Sequence, residues 1–317
     1  MHIEHLWIAA LTRNIDNAET DDKPQISFNP PGGPFFFSDI PFANGHLGRG
    51  RAGLARLNIE SIGAQPHDID LSLAAGGNNL WRIGHVAAWG ERADSGNVVP
   101  LSFGAAPPEG LSQQSGEGIP NFLLPPVLAG DENMVIRRLL IVVHTNQVLG
   151  LPIAGGNIKE FGTDSPINLQ IGTEDGIVVD YDFPDTPQAD QELFQANYYI
   201  APVVSPFTRG ELSDRSVVLS IKGTDSWSPG VVAVFGIESP ILNTTGMVPI
   251  VHSAPWPFGR MSTDPDEGRE HVRIPLAPMD SGDLVAPPTG DVVLQLRQRV
   301  ADLEKRLGVG EVKGKET

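Results

Sequence analysis

The apolar runs of this chain come in pairs. LWIAALT (Leu6–Thr12) and LLIVVHT (Leu139–Thr145) each end in Thr, and each is followed by a Thr-Asp step, Thr20-Asp21 and Thr163-Asp164. Behind each step, apolar residues alternate with polar ones: Ile26 and Phe28 in the first case, Leu169 and Ile171 in the second. That is the period of a half-buried strand. Asp39-Ile40-Pro41 then answers Asp182-Phe183-Pro184, and Arg51-Ala52 answers Gln195-Ala196. With small gaps, LSLAAGGNNLWRIGHVAAWGE (Leu71–Glu91) aligns with LSIKGTDSWSPGVVAVFGIE (Leu219–Glu238). This sets Trp81 against Trp227, Val86 against Val232, Trp89 against Phe235 and Gly90 against Gly236. Val99-Pro100-Leu101 answers Val248-Pro249-Ile250. So many matches in one order mark an internal duplication.

Each copy reads as short strands separated by Gly, Pro, Asn and Asp turns, which is the pattern of a sandwich. The expected fold is all-β: two tandem antiparallel β-sandwiches plus a short C-terminal coiled-coil helix. Copy one spans 1–104 and copy two 133–258. Residues 105–132, rich in Pro, Gly, Ser and Gln, read as a linker. Residues 259–290 read as an irregular connector in which HVRIPL (His271–Leu276) adds an edge strand, since Pro275 argues against a central one. Residues 291–308 form the helix and 309–317 a tail. The 35 Gly and 28 Pro support a turn-rich all-β chain.

The helix reading rests on VVLQLRQRVADLEKRLG. Val293, Leu296, Val300, Leu303 and Leu307 recur at alternating spacings of three and four, the a and d positions of a heptad. Asp291 is placed to cap its start and Gly308 to close it. Arg299 at g and Glu304 at the following e can pair between parallel helices. Val at a with Leu at d leans towards a dimer. Arg299 to Glu304, however, is similar to a short trimerisation motif of parallel coiled coils, so a homotrimer is expected and a dimer is the alternative.

Net charge is -17, so a nucleic-acid backbone is repelled over most of the surface. The chain has no Cys, which removes disulfides, thiolate metal sites and a Cys nucleophile. The run from Leu6 to Leu11 is too short for a signal or membrane helix and has no basic stretch before it. A buried first strand and cytoplasmic synthesis are the expectation.

In copy two, a strand ending in a polar turn leads through Gly162-Thr163-Asp164 into an alternating strand. Together with VVLSIKGTDSWSPGVVAVFGI, this resembles the PLAT/LH2 β-sandwich family; copy one resembles it more faintly, with Glu19-Thr20-Asp21 in place of Gly-Thr-Asp. The resemblance implies eight-stranded sandwiches that dock on membranes or proteins, sometimes with calcium. Trp81 and Trp227, at matching points before a strand, are expected to cap their cores. Trp256, flanked by prolines, is the candidate for an exposed contact. Asp164, Asp180, Asp182 and Asp185, with Asp190 nearby, could offer oxygen ligands to Ca²⁺. Asp also starts turns by bonding its own backbone, and solvated turn carboxylates are the favoured reading.

No nucleophile elbow, zinc-protease motif, P-loop or dinucleotide fingerprint is present, and no enzyme is expected. The reading is a non-catalytic, trimeric structural or binding protein that displays tandem sandwiches in a fibre, appendage or scaffold. A PLAT-like module that docks on a lipid surface or a protein is the alternative. A hydrolase whose carboxylates are set by space rather than sequence comes third.

Overall fold

The computed structural model describes residues 2–28, 36–42, 47–60, 70–93, 95–145, 162–184, 191–192, 195–238 and 246–279. The heptad positions Val293 to Leu307, Asp185 and Asp190 lie outside them. The first copy supplies β1 (Ile3–Thr12), β2 (Gln25–Phe28), β3 (Phe36–Asp39), β4 (Ala52–Asn58), β5 (Leu71–Ala74), β6 (Ile83–Arg92), β7 (Val98–Ala105) and β8 (Asn121–Leu123). A two-residue strand, β9 (Leu128–Ala129), follows. The second copy supplies β10 (Val135–Thr145), β11 (Ile167–Thr173), β12 (Gly176–Asp182), β13 (Ala196–Thr208), β14 (Val217–Ile221), β15 (Pro229–Ile237), β16 (Gly246–Ser253) and β17 (His271–Ile274). The described residues are all-β, with a short 3₁₀ turn at Arg209–Glu211.

These strands form three sheets. Two are four-stranded, in the orders β3-β2-β5-β8 and β12-β11-β14-β17, and each belongs to one copy. The third has nine strands in the order β7-β6-β1-β4-β13-β10-β15-β16-β9, so both copies share it. The join is a single register pair between β4 and β13, Ala52 with Ala196. The far edges of this sheet are joined as well. Val127 N–H donates to Leu101 O on β7 and Gly130 N–H to Met247 O on β16. In the same way Ala277 N–H donates to Ile250 O on β16, while Pro278 O accepts from Val98 N–H on β7. Each copy's exit segment thus bonds first to its own edge strand and then to the other copy's.

Three hydrophobic cores result from this layering. One, around Leu6, Ile8, Phe28, Leu73 and Trp81, lies under the outer sheet of copy one. Another, around Leu139, Ile141, Leu169, Leu219, Trp227 and Trp256, lies under that of copy two. The third draws on both copies, with Trp7, Trp89 and Phe103 meeting Leu140, Val142, Tyr198 and Phe235. The inner strands face a core on each side. In β1, Leu6, Ile8 and Ala10 enter the first core while Trp7 and Ala9 enter the shared one. This is why LWIAALT and LLIVVHT are continuous apolar runs instead of alternating ones. The outer strands, wet on one face, do alternate: β5 and β17 bury every second residue.

The repeat is written into the hydrogen bonds. Trp81 Nε1 donates to Thr12 Oγ1 at 2.9 Å, and Trp227 Nε1 to Thr145 Oγ1 at 2.9 Å. Thr12 N–H binds Arg51 O and Thr145 N–H binds Gln195 O, both at 2.9 Å; Ile40 N–H binds Pro24 O and Phe183 N–H binds Ile167 O, both at 2.8 Å. Both β6 and β15 shift register next to an aromatic residue that faces a proline, Trp89 with Pro100 and Phe235 with Pro249. Proline cannot donate to the ladder, and a bulge accommodates it. The residue left over in each bulge, Leu101 or Ile250, is the one whose carbonyl accepts from the closing segment.

Two expectations from the sequence need correction. The stretch expected as a linker builds part of copy one: Leu111 bridges Trp81 and Ile119, and β8 pairs with β5. Its counterpart in the expected connector does the same for copy two, with Met261 bridging Trp227 and Arg269, and the edge strand expected there is present as β17, paired with β14. The alignment of the later stretch also moves by two. Ser27 pairs with Ser72 where Gln170 pairs with Val218, so Leu71 corresponds to Val217 and not to Leu219. A slip of two preserves the side-chain face, and the apolar pattern alone could not detect it.

Candidate functional site

The residues singled out as metal ligands divide. Asp180 and Asp182 lie two apart on β12 and so share a face, and Asn168 on the neighbouring β11 donates to both carboxylates at 2.9 Å. Gln170 Nε2 also donates to Asp180, and Lys222 Nζ to Asp182 at 3.1 Å. The Asn168 amide and then Lys222 hold the Asp182 carboxyl below the usual range. Copy one repeats the framework part, with Gln25 Nε2 donating to Asp39 Oδ1. Asp164 belongs to a separate turn, where its N–H donates to Asp225 Oδ2. Among the described residues no three His, Asp or Glu side chains converge as a metal would require. Of the candidate calcium ligands among the described residues, Asp180 and Asp182 lie side by side and are engaged by two amides and a lysine, while Asp164 stands apart.

Trp256 is corrected as well. It is 1% exposed, packed in the core of copy two, with its indole N–H donating to Gly259 O at 2.8 Å and its ring edge-on to Phe258. All five Trp are buried. Exposed apolar side chains lie elsewhere. Phe37 and Leu123, each about half exposed, occupy the two ends of one cross-strand row, Phe37–Ser27–Ser72–Leu123, on the outer face of copy one. The matching row of copy two reads Asp180–Gln170–Val218–Arg273. Beside it is an open groove of about 700 Å³ whose polar walls include Glu174, Asp175, Glu211 and Arg215.

The densest chemistry lies where no sequence motif points. Glu91, near the end of β6, pairs in register with His5 of β1, and its Oε2 lies 3.5 Å from His5 Nδ1 and 3.5 Å from Arg56 Nε of β4. From copy two, His252 of β16 brings Nδ1 to 3.4 Å from Oε1. Arg56 lies over the Trp7 ring at 5.7 Å, and the His252 ring meets Trp7 edge-on at 5.4 Å and Trp89 at 6.2 Å. Trp7 and Trp89 stack with centroids 6.0 Å apart. Burial pushes the Glu91 carboxyl above the usual carboxylate range, partly offset by the Trp7 N–H and by Arg56. Burial drives His252 down to about 3, helped by Arg56.

The sequence carries a weak signal for this cluster. His5, Arg56, Glu91 and His252 are polar residues on strands whose buried positions are mostly apolar, and a buried polar group needs a partner. Which partner each finds depends on the register between copies. At their structural counterparts, copy two carries Arg138, Ile200 and Ile237 opposite His5, Arg56 and Glu91, so the cluster, which copy two's His252 completes, is not repeated and is not part of the shared framework.

No family model matches the chain, and no curated protein matches it.

Proposed function

We propose that the chain is a non-catalytic structural or binding protein, a homo-oligomer that carries its duplicated β unit from the C-terminal heptad segment as part of a fibre, appendage or scaffold. The observation that supports this most is the shared nine-stranded sheet, joined through Ala52–Ala196 at one seam and by both exit segments at the other. Two sandwich-like copies locked in this way make a rigid block, which suits display from an oligomer where multivalency amplifies weak contacts. The Glu91 cluster fits the same reading, because its groups are spent on each other beneath packed indoles and not turned towards a substrate. A trimer is the expected state, held by Val293, Leu296, Val300, Leu303 and Leu307 with Arg299–Glu304 pairs between helices. Light scattering of the full chain tests this: a trimer that becomes a monomer when Val300 and Leu303 are replaced by Asn supports the proposal, and a monomeric wild type overturns it.

Docking on a lipid surface, the alternative, is favoured by the exposed row ending in Phe37 and Leu123, where copy two is charged. Sedimentation with anionic and neutral liposomes, lost in F37S/L123S, supports that reading; no sedimentation with either removes it.

A further inference from the structure

Four histidines that are scattered in sequence, His5, His85, His144 and His252, gather around the shared core. His85 stands on the same face of β6 as Ala87 and Trp89, and His144 on the same face of β10 as Leu140 and Val142, so both point into the shared core. His252 enters it from β16, wedged against Trp7 and Trp89. His5 stands at its rim beside Glu91. We propose that the shared core is an acid-sensitive seam, in which protonation of His85 and His252 loosens the contact between the two copies while each copy keeps its own two-layer core.

The geometry of each ring carries the inference. His85 is stacked between Phe103 and Tyr198, with centroids 6.3 Å away on both sides. Its Nδ1 is buried and has no hydrogen-bond partner. The charged and titratable groups facing it are Arg13, a cation that opposes a second positive charge, and the Tyr198 hydroxyl, which is itself buried and without a partner. An imidazolium here would place an N–H among aromatic rings. His252 has Glu91 on its Nδ1 side, while its Nε2 is buried with no partner. The groups around it are Glu91 from β6, Arg56 from β4 and His5 from β1, with Glu4 and Glu60 acting on His5 from beyond. Glu91 could balance one imidazolium, but it is already shared with His5 and Arg56. Protonating His252 also leaves its second N–H, at Nε2, buried without an acceptor.

Burial lowers the proton affinity of both rings, and at His85 the Gly104 backbone offsets it only in part. When the seam opens, the histidines take up protons near their ordinary value of about 6.5, whereas in the closed seam they do so only at lower pH. Opening therefore becomes easier as pH falls below about 6.5, by up to about tenfold per pH unit for each histidine. The private cores lack this dependence at their anchoring points, where indole N–H groups bind threonine hydroxyls and nothing titrates.

Hydrogen exchange on the full chain at pH 7 and pH 5, corrected for the intrinsic exchange rate, tests the proposal. The expected result is a loss of protection of about tenfold or more in β4, β13, β7 and β16, with β2, β5, β11 and β14 nearly unchanged. Equal loss in all strands, or none in the seam, overturns it. In H85F/H252Q the seam should lose less than about threefold over the same interval. A double variant that loses as much as the wild type also overturns the assignment. If that variant does not fold, the wild-type comparison still decides.

Discussion

Ala52 and Ala196 face each other across β4 and β13, and they are the same position of the two copies. A pair of equivalent residues in antiparallel register lies on a local twofold axis, so the shared sheet is the duplication meeting itself. The pairs Trp81–Thr12 and Trp227–Thr145 stand at equivalent points on either side of that axis, with matching geometry. A change at a framework position of one copy should therefore be mirrored by the same change in the other.

Thr12→Val and Thr145→Val should destabilise the protein by similar amounts. Each change leaves a buried indole N–H with no acceptor, which costs about 1–3 kcal/mol. Urea unfolding of the two single variants checks this. A neutral result for one and a clear loss for the other would break the equivalence of the copies.

Gly90 and Gly236 are equivalent for a steric reason. A Cβ on Gly90 would lie 2.5 Å from Ile3 Cδ1, and one on Gly236 would lie 2.6 Å from Ile136 Cδ1. Overpacking of this kind costs about 1–3 kcal/mol, so G90A and G236A should each lower the melting temperature. In the double variant G90A/I3V, where the clashing methyl is gone, part of the loss should return; G236A/I136V should recover less, because Ile136 Cγ1, also 2.6 Å away, is kept by valine. Thermal melts of the four proteins distinguish a clash from a general intolerance of change.

Arg209 fastens the closing segment of copy two. Its Nε donates to Pro249 O at 2.8 Å and its Nη2 to Ala277 O at 2.6 Å, with Glu132 nearby at 3.6 Å. Arg209→Met leaves two carbonyls without their donor, and Arg209→Lys cannot serve both because a lysine lacks the planar fork. Both variants should raise exchange at Ala277 selectively, with a stability loss of about 2–4 kcal/mol for the methionine form. Lysine restoring full protection would refute the two-point attachment.

Glu91 gives a test with a definite sign in pH. Its carboxyl is raised in the folded protein, so the native state holds a proton that the unfolded chain has already released once pH exceeds the ordinary carboxylate value. The folded state consequently loses stability as pH climbs from that value through the raised one. Glu91→Gln, which carries no charge at any pH, should gain stability relative to the wild type between pH 4 and pH 7. A relative loss over that interval would mean that His5, His252 and Arg56 outweigh burial.

Much of the architecture is legible in the sequence, and the parts that are not have physical causes. The order of matched motifs reveals two copies because framework positions such as Thr12, Trp81 and Gly90 are tied to backbone geometry. The continuous run LWIAALT also marks a strand buried on both faces, which a free-standing sandwich does not supply; it is the trace of the shared core. The segment SQQSGEG (Ser112–Gly118) reads as a linker by its composition. Its match to STDPDEG (Ser262–Gly268) shows a repeated turn instead: Ser112 Oγ donates to Asn78 O and Ser262 Oγ to Thr224 O, both at 3.0 Å. Trp256 reads as surface from its prolines and is buried, because its ring packs on Phe258 in the core of copy two and its N–H finds the Gly259 carbonyl. The Glu91 cluster leaves only a weak trace in the sequence, since it is assembled from β1, β4, β6 and β16 and depends on how one copy faces the other.

Through the shared sheet, residues of both copies are expected to fold as one unit. Calorimetry at pH 7, read beside tryptophan fluorescence and far-ultraviolet circular dichroism, tests it most directly. One transition is expected, with coincident midpoints in all three and a calorimetric enthalpy equal to the van't Hoff value. Two separate transitions, or a fragment ending before β10 that folds alone with native protection in β4 and β7, would contradict it.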